Sequence, residues 1–137
     1  MCDHLADTCG EMARSACDDS IQSLFCKSDA TTQRCINALS TIECADPAPA
    51  ACGNIIDTGP AVRYCYRFID LYCKRMAECG LATYAECEVS TGLPCDQAIG
   101  VSPSGPACTE ALPDFSCSDI AEGGVPADCI GSVKLRQ

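Results

Sequence analysis

The sequence predicts an all-α protein, a disulfide-rich array of short helices built from two tandem cysteine-rich repeats around a central helix. Three observations predict it. Cysteine fills 15 of the 137 positions, a density that marks a disulfide scaffold or a metal protein. Ile, Leu, Val and Phe together fill only 25 positions while the net charge is −10, close to the composition at which a chain cannot bury enough apolar surface to offset its ordering entropy. The run from Pro60 to Cys79, PAVRYCYRFIDLYCKRMAEC, carries an unbroken helical period with legible ends.

That run is the central helix. Gly59-Pro60 puts a proline in the first turn, where a missing N–H costs nothing, and Gly80 supplies the stop. Val62, Cys65, Tyr66, Ile69, Tyr72, Cys73, Met76 and Cys79 recur at three- and four-residue steps as one apolar stripe. The opposite face carries Arg63, Arg67, Asp70, Lys74 and Glu78, with Asp70 and Lys74 one turn apart. On one helix Cys73 and Cys79 stand roughly 9 Å apart along the axis, beyond the roughly 7 Å Cα limit for a disulfide. Cys65, Cys73 and Cys79 therefore cannot bond to one another; once oxidised, each must reach a different segment.

Before the central helix, Leu5, Cys9, Met12 and Ala16 keep a helical period from Cys2 to Cys17, with Asp3 and Asp7 near its N-terminal end. Asp18-Asp19-Ser20 can cap a second short helix with Ile21, Leu24, Phe25 and Cys26. Ser28 to Thr32 is a break and a new cap for a helix carrying Cys35, Ile36 and Leu39. Cys17, Cys26, Cys35 and Cys44 are nine apart, a step that alternates faces on one helix, so turns must intervene. Asp46-Pro47-Ala48-Pro49 is one turn, Ala50-Ala51-Cys52 begins a short segment, and Asp57-Thr58-Gly59 is the linker between two domains, 1–58 and 59–137.

Beyond the central helix, Thr83 caps a short helix through Tyr84 and Cys87, and Gly92-Leu93-Pro94-Cys95 is a turn. Ile99 to Pro106 reads as loop. Pro106 opens a helix through Cys108 and Leu112 that Pro113 ends, Asp119 to Pro126 reads as a glycine-rich loop before Cys129, and Val133 to Gln137 as a frayed end. A repeat joins the two halves: Cys35, Ala38, Leu39, Cys44 and Asp46 match Cys108, Ala111, Leu112, Cys117 and Asp119 at a constant offset of 73, and Cys52 then corresponds to Cys129. Cys26, Cys17, Cys9 and Cys2 lie on Cys95, Cys87, Cys79 and Cys73; an alternative lays Cys2 and Cys9 on Cys65 and Cys73. The halves hold seven cysteines and eight, so one sulfur is left over. Connectivity stays open at this level, eight cysteines alone allowing 105 arrangements.

No two cysteines lie within five residues of each other, whereas zinc, iron–sulfur and copper sites draw ligands from closely spaced thiols. The spacing favours disulfides over the alternative, a copper- or zinc-storing thiol protein, and predicts no cofactor. Disulfides place the protein outside the cell, on a cell surface or in a periplasm. Met1-Cys2-Asp3-His4 has neither the basic start nor the apolar run of a leader, so the expectation is a mature fragment. No apolar stretch is long enough to span a membrane. The negative charge disfavours nucleic acid and anionic membranes as partners.

The spacing of Cys65, Cys73 and Cys79, followed by Tyr84-Ala-Glu-Cys87, Ala107-Cys108-x3-Leu112-x4-Cys117 and Pro126-Ala-Asp-Cys129, resembles cysteine-rich exported proteins of myxobacteria and their relatives. The resemblance implies export, often with a lipid anchor, which would make Cys2 a lipid-attachment residue; it implies no activity.

No residues point to catalysis. His4, the one histidine, sits between Asp3 and Asp7 near the terminus, and the carboxylates are scattered over polar faces without a phosphate-binding loop. The expectation is a non-catalytic structural or binding module whose partner is itself or another surface protein. Its structural residues are the disulfide cysteines Cys2, Cys9, Cys17, Cys26, Cys35, Cys44, Cys52, Cys65, Cys73, Cys79, Cys87, Cys95, Cys108, Cys117 and Cys129. Tyr64 and Phe68, one turn apart and off the apolar stripe, form a candidate interaction surface.

Overall fold

The computed structural model describes residues 22–43, 46–53 and 55–137. The chain divides into two compact units, 1–57 and 58–137.

In the first unit, Ser28 caps α1 (Asp29–Leu39), its Oγ accepting from the Thr31 N–H at 3.2 Å, which satisfies one of the helix's orphan amides. α1 buries Cys35 and Leu39, one turn apart. A single 3-10 turn, Ala50–Cys52, follows Pro49. The segment before α1 and the segment after the 3-10 turn meet in an antiparallel bridge, Cys26 opposite Ile56. Its flanking bonds run from Lys27 N–H to the Ile55 carbonyl (2.8 Å) and from Asp57 N–H to the Phe25 carbonyl (2.7 Å). The sequence expectation of a helix through Leu24, Phe25 and Cys26 is thus corrected: the bridge claims the backbone groups that a helix would have used. The helix expected from Cys2 to Cys17 lies outside the described residues.

The second unit is organised on α2 (Gly59–Glu78), with Pro60 in its first turn and Cys79 as C-cap. Gly80 follows at φ 69°, the left-handed conformation that ends a helix without a Cβ clash. The face that α2 buries is narrow: Ala61, Cys65, Ile69 and Cys73. Tyr66, read as part of the stripe, is instead 52 % exposed and donates its hydroxyl to Asp96 at 2.9 Å. α3 (Tyr84–Thr91) opens with a complete capping box, Thr83 Oγ1 accepting from the Glu86 N–H at 3.2 Å and the Glu86 carboxylate accepting from the Thr83 N–H at 2.9 Å. α4 (Gly105–Ala111) runs into a 3-10 turn (Leu112–Asp114). α5 (Cys117–Ala121) is capped by Ser116, where the sequence suggested loop from Asp119 on. A last 3-10 turn, Ala127–Cys129, follows Pro126.

The fold is therefore helix-rich but not all-α. β1 (Ala98–Val101) and β2 (Val133–Leu135) pair antiparallel, with Ala98 opposite Leu135, Gly100 opposite Lys134 and Val101 opposite Val133, and an irregularity between Ala98 and Gly100. The residues read as loop and frayed end are this ribbon. Ala98 is buried, and Val101, Val133 and Leu135 pack against the cluster of Ala61, Cys65, Ile69, Cys73, Cys87 and Cys95. Strands this short carry too little alternation to register in a sequence, and their stability comes from packing on α2 rather than from propensity.

A second cluster gathers Cys108, Leu112 and Cys129, with Phe68, Leu71, Tyr72 and Val125 over it. Gly105 is buried where α4 starts against β1 and the Tyr64 ring; a Cβ there would collide with the Val101 side chain and lie 3.2 Å from Tyr64 Cε2.

Two substitutions test this packing by denaturant unfolding of the oxidised protein. Thr83→Ala removes the cap of α3 and is expected to cost about 1 kcal/mol. Gly105→Ala overpacks the α4–β1 contact and is expected to cost about 1–3 kcal/mol; a neutral result would mean that Val101 and Tyr64 are not held in place.

Candidate functional site

The feature with chemistry in it is the sulfur framework. In the second unit α2 presents three cysteines, and each reaches a different segment: Cys65 to Cys95 in the turn before β1, Cys73 to Cys87 on α3, and Cys79 to Cys117 at the start of α5, all with Cα atoms 5.4 Å apart. The helical geometry that forbids bonds among these three is what spreads them over three partners. Cys108 on α4 closes on Cys129 in the last 3-10 turn, with Cα atoms 4.6 Å apart. In the first unit Cys35 on α1 closes on Cys52 in its 3-10 turn, with Cα atoms 4.7 Å apart. Cys26 is exposed and in no disulfide. Cys2, Cys9, Cys17, Cys44 and His4 lie outside the described residues.

Polar contacts reinforce these links. Beside the Cys79–Cys117 bridge, Arg75 Nε donates to the Phe115 carbonyl at 2.8 Å and Arg75 Nη1 meets Glu78 Oε2 at 3.1 Å. The tether at Arg75 has no sign in the residues around it, since its partner Phe115 lies forty positions away. Asp70 pairs with Lys74 at 2.8 Å, as their spacing suggested, and also accepts from the Tyr84 hydroxyl at 2.9 Å. The Lys74 ammonium and Tyr84 hydroxyl hold the Asp70 carboxyl below its usual range, while the same bond raises the Tyr84 phenol. The backbone and hydroxyl of Thr83 likewise hold Glu86 low.

Tyr64 and Phe68 are both half-buried. Tyr64 donates its hydroxyl to the Gly105 carbonyl at 3.0 Å, and burial raises its phenol above the ordinary value, with a Ser132 hydrogen bond acting in the opposite sense. Phe68 stacks on Tyr72 with ring centroids 6.0 Å apart and packs over both apolar clusters. Their contacts within the unit are what the sequence could not show.

Among the described residues no group of three His, Cys, Asp or Glu side chains could hold a metal ion, and ten of the cysteines present are already bonded. A shallow cleft lined by Ala77, Leu81, Thr83, Tyr84 and Glu86 opens where α2 meets α3. No helix among the described residues is long and apolar enough to cross a membrane.

Loop length sets the expected value of each bridge. Replacing Cys65 and Cys95 together by Ala opens a separation of 30 residues and should cost about 3.6 kcal/mol in the chain-entropy account, against about 3 kcal/mol for Cys73 and Cys87, separated by 14; paired denaturation curves give both. Acid should also weaken the unit. Asp70 and Glu86 have folded-state pKa values depressed below the unfolded ones, so their stabilisation is complete above the ordinary carboxylate range and is lost as pH falls through the depressed values. Asp70→Asn and Glu86→Gln should each shallow the acid limb of a stability–pH curve. Comparison of the chain with known protein families, with curated proteins and with solved structures finds no match.

Proposed function

We propose that this chain is a non-catalytic, disulfide-braced structural or binding module that works outside the reducing cytoplasm, in the extracellular medium, at a cell surface or in a periplasm, and that associates with itself. The observation that carries the reading is the allocation of sulfur: ten of the eleven described cysteines are in bridges that join separate segments, and six of them, Cys65, Cys73, Cys87, Cys95, Cys108 and Cys129, are buried members of the two apolar clusters. Bridges of this number persist where no thiol buffer reduces them. A module of this kind acts through its surface, and the acidic balance of the chain, 19 Asp and Glu against 9 Lys and Arg, directs it toward neutral or basic partners rather than polyanions.

The reading includes two copies of one cross-linking plan. In each, a helix cysteine followed one turn later by a buried leucine (Cys35 and Leu39; Cys108 and Leu112) bonds to the last residue of a 3-10 turn introduced by proline and alanine (Pro49-Ala-Ala-Cys52; Pro126-Ala-Asp-Cys129). In each, the segment ahead of the helix pairs antiparallel with the segment after that turn, Cys26 with Ile56 and Val101 with Val133. The offset of 73 that aligns the sequences supports the same correspondence.

A mass-spectrometric disulfide map of native material, with thiol titration beside it, tests the proposal. The expected map contains the five bridges above. Recovery from its source with most cysteines reduced or carrying copper or zinc would overturn the extracytoplasmic, disulfide-braced reading. A map in which Cys35 and Cys52, or Cys108 and Cys129, bond elsewhere would overturn the two-copy plan alone.

A further inference from the structure

We propose that the Cys79–Cys117 bridge is a thiol-exchange site, the one of the five described bonds that low-molecular-weight thiols open and close while the rest of the second unit stays folded. The inference goes beyond the proposed function and rests on its disulfide-braced reading.

Access to sulfur is the first observation. Thiol–disulfide exchange begins with a thiolate attacking one sulfur of the bond, so its rate depends on which sulfur can be reached. In Cys65–Cys95, Cys73–Cys87 and Cys108–Cys129 both half-cystines are buried. In Cys35–Cys52 one half is buried and the other half-buried. Cys79–Cys117 alone among the five has no buried half: Cys79 is half-buried as the C-cap of α2, and Cys117 is exposed as the first residue of α5. Neither belongs to an apolar cluster. The bonds inside the clusters meet a thiol only when the core opens, whereas Cys117 meets one in the folded state.

The second observation is what else holds the segment that this bridge ties down. α5 has its own stops. Ser116 Oγ accepts from the Asp119 N–H at 3.5 Å, and after the helix the Gly123 N–H donates to the Ile120 carbonyl (3.0 Å) and the Gly124 N–H to the Asp119 carbonyl (2.9 Å). Two contacts besides the sulfur bond hold this segment in the unit. Ile120 is buried, and Arg75 Nε, one turn before Cys79 on α2, donates to the Phe115 carbonyl two residues ahead of Cys117. Opening the bridge therefore leaves Phe115 tethered to α2, and the two released thiols stay close enough for the bond to re-form. α2 meanwhile keeps its bonds to Cys95 and Cys87. What loosens is confined to residues 116–122.

The exchange balances with two molecules of a small thiol. The thiolate of the first attacks Cys117 Sγ, and a new sulfur–sulfur bond forms as the Cys79–Cys117 bond breaks. Cys79 leaves as a thiolate and takes up the proton that the attacking thiol lost. The second thiolate attacks the small-molecule sulfur of that mixed disulfide, and Cys117 leaves and is protonated in the same way. Two small thiols are oxidised to one disulfide, and one protein disulfide is reduced to two thiols.

The oxidised full chain, with any free thiol first blocked by iodoacetamide, is exposed to rising reduced glutathione in glutathione redox buffer at constant neutral pH, quenched with N-ethylmaleimide and mapped by peptide mass. Of the five bridges, Cys79–Cys117 is expected to be labelled first, at least about tenfold faster than Cys65–Cys95, Cys73–Cys87 or Cys108–Cys129. The trapped intermediate should carry glutathione on Cys117 and maleimide on Cys79, and in unquenched samples oxidised glutathione should restore the bridge. Amide exchange at this stage should rise in residues 116–122 and stay unchanged along α2 and at the β1–β2 pairing. Opening of any of the other four bridges before Cys79–Cys117, or loss of protection along α2 as it opens, would overturn the proposal with the disulfide-braced module intact. Alkylation of the ten bridge cysteines before any glutathione is added would overturn the module reading itself, and this proposal with it.

Discussion

One constraint organises the second unit: cysteines on a single helix cannot bond to each other at the spacings of Cys65, Cys73 and Cys79, so oxidising them ties α2 to three other segments. The turn at Cys95, the short helix around Cys87 and the start of α5 at Cys117 are each brought to one rod. β1 follows directly from Cys95 and lies against α2, and β2 pairs with β1. The ribbon is thus positioned by a sulfur bridge at one end and by packing along its length.

That arrangement explains how a chain with so few large apolar residues folds. Of the thirteen buried apolar side chains among the described residues, seven are half-cystines, and only Leu39, Ile69, Leu112 and Ile120 are large aliphatics. Each half-cystine fills a core position while cross-linking the chain, so it contributes apolar contact in the folded state and reduces the freedom of the unfolded one. Small side chains at Ala61, Cys65 and Cys73 also let neighbouring segments approach α2 closely, and no buried side-chain polar atom among the described residues lacks a hydrogen-bond partner. The helices other than α2 are short, and isolated helices of that length are marginal in water; capping at Ser28, Thr83 and Ser116 and the bridges at Cys35, Cys87 and Cys117 supply what length does not.

Much of this was legible in the residues. The limits of α2, the cap at Thr83, the Asp70–Lys74 pair and the outward reach of the α2 cysteines follow from period, capping chemistry and helix geometry alone. The ribbon was not legible, because Ala98 to Val101 and Val133 to Leu135 are short, border glycine or serine, and gain their order from α2. The extended backbone at Cys26 was missed for a similar reason, its pairing partner Ile56 being remote in the sequence. Tyr64 and Phe68 stood off the apolar stripe and suggested an open surface; Gly105 and the second apolar cluster, both distant in sequence, take up much of it. Which cysteine bonds which could not be read from spacing, since spacing excludes pairs on one helix but does not choose among the segments beyond it.

The account holds that sulfur bridges, more than apolar burial, keep the segments around α2. Amide hydrogen exchange of the intact chain, compared with and without a thiol reductant at constant neutral pH, tests this most directly. The account predicts strong protection along α2 and at the β1–β2 pairing in the oxidised protein, and loss of most of it on reduction. Retention of that protection after every bridge has been reduced would contradict it.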